Sequence, residues 1–169
     1  GLSSDGKFQV YASSTTHVVL DVTGYYSASA GADANGSAGS LFYPLSTPMR
    51  LLDTRPGESA CYTPGAPISA NTSRTQIATG TCGGLAIPAT AKAVVGNAAV
   101  VNTLSGSAAG YLMVYPGGVA KPVGANVNYA PGQVVSNAFA VGLGADGAFQ
   151  IYASSSIHAV IDLTGYFAP

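Results

Sequence analysis

The chain has two histidines, and each stands four residues before an aspartate: His17 before Asp21, and His158 before Asp162. An imidazole beside a carboxylate is the usual core of a general-base pair. Both pairs sit in alternating apolar/polar sequence, however, and an extended chain rises about 3.3 Å per residue. Residues four apart on one strand are therefore about 13 Å apart; they share a face and cannot touch. No serine is marked as a nucleophile beside them. No catalytic residue is assigned, and the expectation is a protein that is not an enzyme.

A second group is Asp53-Thr54-Arg55, in which the carboxylate and the guanidinium are two residues apart on one face. Charged residues are only 8% of the chain, so a retained Asp and Arg read as a buried polar lock, with Asp162 as a further partner. Unpaired buried charge is costly, which favours that reading; the alternative is a cleft in which both groups hold sugar hydroxyls. Ten tyrosines and no tryptophan suggest stacking on sugar rings, with Tyr111, Tyr115 and Tyr129 as candidates. Tyrosines in alternating strands also serve as half-buried packing. Cys61 and Cys82 flank a loop of about 20 residues, and two cysteines cannot build a four-ligand zinc site. They are either a disulfide, contributing about 3 kcal/mol, or a pair of buried thiols. Lys7, Lys92 and Lys121 give no specific isopeptide signal. No calcium loop, phosphate loop or CxxC occurs, so no metal and no cofactor is expected.

The elements that hold these residues follow from an internal repeat. Gly1 to Ser27 and Gly142 to Ala168 align without a gap at an offset of 141, with 16 of 27 positions identical. Most changes are conservative, such as Val10 to Ile151 and Leu20 to Ile161. The spacing predicts a unit about 140 residues long, preceded here by the end of another. In the second copy the sequence predicts a tight turn at Asp146-Gly147 and a strand over 149–153. A serine loop and a strand over 158–167 follow, with Ala159, Ile161 and Leu163 on the core face. His158, Val160, Asp162, Thr164 and Tyr166 fall on the other face.

Residues 28–40 are small and polar and read as a linker, and residues 41–169 as the complete unit. Within it, strands are expected at LFYPL and PMRLLDTR, limited to edges by Pro44 and Pro48. Further strands are expected over 74–78, 91–102, 111–115, 126–129 and 133–142. Eight or nine short strands and no helical periodicity predict an all-β fold. The expected architecture is an antiparallel β-sandwich, Ig-like or jelly-roll-like, with an extra N-terminal hairpin. Six basic and seven acidic residues give a net charge of −1, which excludes the basic footprint of a nucleic-acid binder. No apolar run approaches the roughly 18 residues of a membrane helix, so membrane insertion is not expected. The sequons at 35–37 and 71–73 matter only in a glycosylating host.

Four segments in order carry a family resemblance: PMRLLDTRPG (48–57), AGYLMVYPGG (109–118), ANVNYAPGQVVSNAFAVGLGADG (125–147) and HAVIDLTGYF (158–167). As a set they resemble a tandem repeat module of large secreted and surface-anchored proteins of actinobacteria and other environmental bacteria. The resemblance spans 41–167, with 1–26 as a partial copy, and implies an extracellular, non-catalytic accessory role. It supplies no ligand residues. The chain starts inside a repeat, so its natural N-terminus is expected upstream. An isolated hairpin is not stable, so the first copy must pack on its own chain or on a neighbouring one. The second arrangement predicts self-association into a head-to-tail surface fibre by strand addition. The other functional expectation is a carbohydrate-binding accessory module, for cell wall or polysaccharide, attached to a secreted hydrolase or anchored to the cell wall.

Overall fold

The computed structural model describes residues 4–15, 17, 18, 20, 22, 24, 25 and 39–169. From Leu41 onward the chain is all β. The strands are β1 (Leu41–Asp53), β2 (Thr72–Ile77), β3 (Gly80–Cys82), β4 (Leu85–Ile87) and β5 (Ala93–Val101). They continue with β6 (Gly110–Pro116), β7 (Val127–Tyr129), β8 (Val134–Gly142), β9 (Ala148–Ala153) and β10 (His158–Ala168). One four-stranded sheet has the order β1-β10-β5-β8 and the other β2-β9-β6-β7; β3 and β4 form a small hairpin. Every strand pairing is antiparallel.

The core lies between the two sheets. Alternation puts Val94, Ala98 and Val100 of β5 inward, opposite Leu112 and Val114 of β6. Phe149 and Phe139 meet across the interior with ring centroids 6.0 Å apart. The second repeat copy holds both layers: β9 lies between β2 and β6, and β10 between β1 and β5. Ala159, Ile161 and Leu163 face the core, as the alternation predicts. Tyr166 does not follow it. Leu163 pairs with Gly96 and Gly165 with Val95, so Thr164 is an extra residue that reverses the facing. Tyr166 then packs against the core and stacks on Tyr43 at 5.2 Å. The crowding at this bulge fixes Gly96, since a Cβ there would run into the Asp162 carbonyl oxygen.

β1 is one strand of 13 residues where two short ones are expected. Pro44 and Pro48 leave a register shift between Pro44 and Met49 and are tolerated because β1 is an edge. The Cys61–Cys82 bridge forms, with Cα atoms 5.7 Å apart. It ties the small hairpin to a segment that covers the end of the β1 edge. There Tyr62 N–H donates to the Leu51 carbonyl at 3.0 Å, and Asp53 N–H to the Tyr62 carbonyl at 3.1 Å.

The first copy is different. None of its described residues between 4 and 25 belongs to a strand, and all are exposed. Its turn at Ser4–Asp5 and bend at Ser13–Ser14 repeat those at Ala145–Asp146 and Ser154–Ser155. Gly6 and Gly147 share a positive φ, 74° and 71°. The linker at 28–38, the sequon at 35–37, and Asp21 and Tyr26 lie outside the described residues.

Candidate functional site

Three places combine polar or aromatic groups: the end of β1, the outer face of the β2-β9-β6-β7 sheet, and a groove beside β8.

At the end of β1, Asp53 is fully buried. Its carboxylate accepts from Arg55 Nη2 (2.7 Å), Arg55 Nε (3.0 Å), the Arg55 backbone N–H (3.1 Å) and Arg50 Nη1 (3.3 Å). Burial pushes the carboxyl up, but the Arg55 hydrogen bonds and the two positive charges outweigh it and hold Asp53 below its ordinary range. Four donors fill its acceptor positions, which leaves nothing for a ligand. Arg50 also donates from Nε to Asp162 Oδ1 at 2.7 Å. The expected trio of Asp53, Arg55 and Asp162 is therefore joined by Arg50. Arg55 pairs with Asp53 and with Glu58, at 3.4 Å. Sequence alone missed Arg50 because the irregularity between Arg50 and Leu52 sets its register opposite Asp162.

His158 lies beside this group. Its Nδ1 shares a hydrogen bond with Thr54 Oγ1 (3.1 Å), while Thr54 Oγ1 accepts from the Ala159 N–H (2.8 Å). His158 and Asp162 face different partners, in keeping with their spacing. The group locks β1 to β10.

On the outer sheet face, Tyr111 and Tyr152 meet at 5.6 Å and 38°. The Lys121 ammonium lies 4.7 Å from the Tyr152 ring centre, and the Tyr152 hydroxyl donates to Asn71 Oδ1 at 3.0 Å. The three expected tyrosines do not line one groove. Tyr115 is 6% exposed, with its hydroxyl 2.8 Å from Ser73 Oγ. Tyr129 is 5% exposed and belongs to the core, its hydroxyl bonded to Ser155 Oγ at 3.1 Å. Tyr129 alternates in step with the inward Val127, and a three-residue strand gives the pattern too few positions to show it. Tyr152 is the tyrosine that joins Tyr111, and it is legible from the inward Phe149, Ile151 and Ala153 around it.

The groove beside β8 measures about 370 Å³ and is walled by Met113, Tyr115, Pro122, Val123 and Val141. Leu20 and Val22 of the first copy reach its rim. The outer edge of β8 adjoins it, nine residues without charge or proline. Among the described residues no group of three or more His, Cys, Asp or Glu is arranged to hold a metal ion. No helix among them is long and apolar enough to cross a membrane.

A scan against protein-family models and a search of curated proteins found no match to the chain.

Proposed function

We propose that this chain is a non-catalytic structural repeat module of an extracellular protein, and that its first copy joins one sandwich to the next. The observation that carries this reading is the exposure of that copy. Leu20 is 59% and Val22 84% exposed, although their counterparts Ile161 and Leu163 at the other end of the chain are fully buried in the core. Among the described residues, every member of the core cluster lies after residue 40.

The β8 edge supplies an acceptor. Natural sheets blunt such edges with charge, proline or a covering segment, and β8 has neither charge nor proline. A copy donated from one molecule to the β8 edge of the next makes a heterologous contact, which propagates unless it closes into a ring. The disulfide and the likeness to tandem surface modules support an oxidising, extracellular setting.

Size exclusion with light scattering tests this on the full chain and on a chain beginning at Ser40, at matched concentrations. The reading predicts an open series of oligomers from the full chain and a monomer from the shorter one. Two monomers would contradict it.

The Tyr111–Tyr152 pair, with Lys121 and Asn71 beside it, favours a second reading: a polysaccharide-binding face. Retention on insoluble polysaccharide that is lost in Tyr152→Ala would support it.

A further inference from the structure

We infer that the first copy is a second, interchangeable occupant of the slot that β9 and β10 fill. Its partner is a sandwich of this same fold whose own last two strands have been displaced. This rests on the reading above only in treating the first copy as an assembly element. It replaces edge addition with exchange of whole strands.

The slot has a specific polar lining. Gln150 donates to Thr75 (2.9 Å), Tyr152 to Asn71, Ser155 Oγ to Tyr129, and the Tyr111 N–H donates to Ser154 Oγ (2.8 Å). His158 bonds Thr54, and Asp162 accepts from Arg50. At all six positions the first copy carries the same residue: Gln9, Tyr11, Ser13, Ser14, His17 and Asp21. Two glycines are matched as well. A Cβ at Gly165 would run into the Phe42 ring, and one at Gly147 into Thr79 Oγ1. Gly24 and Gly6 stand at those positions. Gly24 has no atom within 4 Å of a Cβ built on it, so nothing around it in this structure requires the glycine. The slot would.

The differences set the order of preference. Lys7 stands for the buried Ala148, Thr16 for the buried Ile157, and Val18 for the buried Ala159. A buried ammonium, a buried hydroxyl and an overfilled site all favour the resident strands. The first copy enters only when the resident is weakened.

The chain can close in this second form. Ala168 pairs with Leu41, so a first copy in the slot would end beside the start of β1. Antiparallel partners are about 5 Å apart, and residues 28–40 are long enough as a chain to cover that distance. Exchange yields a circularly permuted sandwich, and tethering makes exchange within one molecule dominant at micromolar concentration.

The test uses the full chain carrying Gln9→Cys and Thr75→Cys. Thr75 pairs with Gln150, so a disulfide between positions 9 and 75 forms only when residues 8–12 replace β9. With Ile161 intact, peptide mass spectrometry should find little of this bond. Adding Ile161→Asp, at a fully buried site, should make it the main product, in the monomer at low micromolar concentration. The same bond in dimers or ladders would also support exchange and place it between molecules. Its absence in the Ile161→Asp protein, folded or unfolded, would overturn the inference. A second measurement needs no cysteines. Phe8→Ala should leave the melting temperature unchanged in the parent and lower it by about 10 °C in Ile161→Asp. Equal effects in the two backgrounds would overturn it too. Monomers by light scattering together with the engineered disulfide would remove the fibre and leave the exchange. Oligomers without that bond would do the reverse.

Discussion

Phe8 and Phe149 stand at the same place in nearly the same sequence, and one is 56% exposed while the other is wholly buried. Val10 and Ile151, Leu20 and Ile161, and Val22 and Leu163 divide the same way. The two copies even bend at the same serines and turn at the same aspartate. What distinguishes the second copy is flanking strands: β2 and β6 on either side of β9, β1 and β5 on either side of β10. Local sequence sets the bend; the sheet sets the strand. A segment patterned for a central strand becomes one only where two ladders are open to it.

Paired substitutions break this comparison most sharply. Phe149→Ala should cost about 3–5 kcal/mol in denaturant unfolding, whereas Phe8→Ala should stay within about 0.5 kcal/mol in the monomer. Equal costs would mean that the first copy is packed in solution. Reducing the Cys61–Cys82 bridge, or replacing both cysteines with serine, should cost about 3 kcal/mol. That loss should be the same with and without residues 1–39, because the bridge belongs to the body alone. The glycines come next. Gly165→Ala forces a Cβ against the Phe42 ring and should cost about 1–3 kcal/mol by thermal melting. Gly24→Ala should be silent in the parent protein.

The smallest effect is the pH response of the β1 lock. Asp53 is depressed in the folded state, so the unfolded chain binds its proton more readily. The resulting stability is complete above the ordinary value of 3.8 and is lost as pH falls through the lower folded value. Urea unfolding from pH 6 to pH 2 should show this loss. Asp53→Asn should be less stable at pH 6 and should flatten the acid limb. Replacing Asp162 instead should change stability by less than about 1 kcal/mol, since Arg50 is 42% exposed.

Much of the body was legible because strand alternation is a short-range signal. The inward face of β10, the span of β8 and the pairing of the two cysteines all follow from it or from loop chemistry. Two of the misses share a cause: a single residue out of step. Thr164 bulges and turns Tyr166 inward. The irregularity after Arg50 moves that arginine, not Arg55, onto Asp162. β3 and β4, three residues each around Gly83-Gly84, are too short to show a period. Asn102 reads in the sequence only as the end of a strand. It is fully buried, and its amide donates to the carbonyls of Ala108 and Ala130, both at 2.9 Å, tying two turns together. Such a role depends on where distant turns meet, which no local pattern encodes.

Hydrogen exchange read by peptide mass spectrometry tests the contrast between the copies directly, since their peptides differ in mass. In dilute protein, residues 8–25 should exchange at once, while residues 149–167 should exchange only through global unfolding. Raising the concentration should then protect residues 8–25 and leave the second copy unchanged. Protection of residues 8–25 in the dilute monomer, or none at any concentration, would contradict the account.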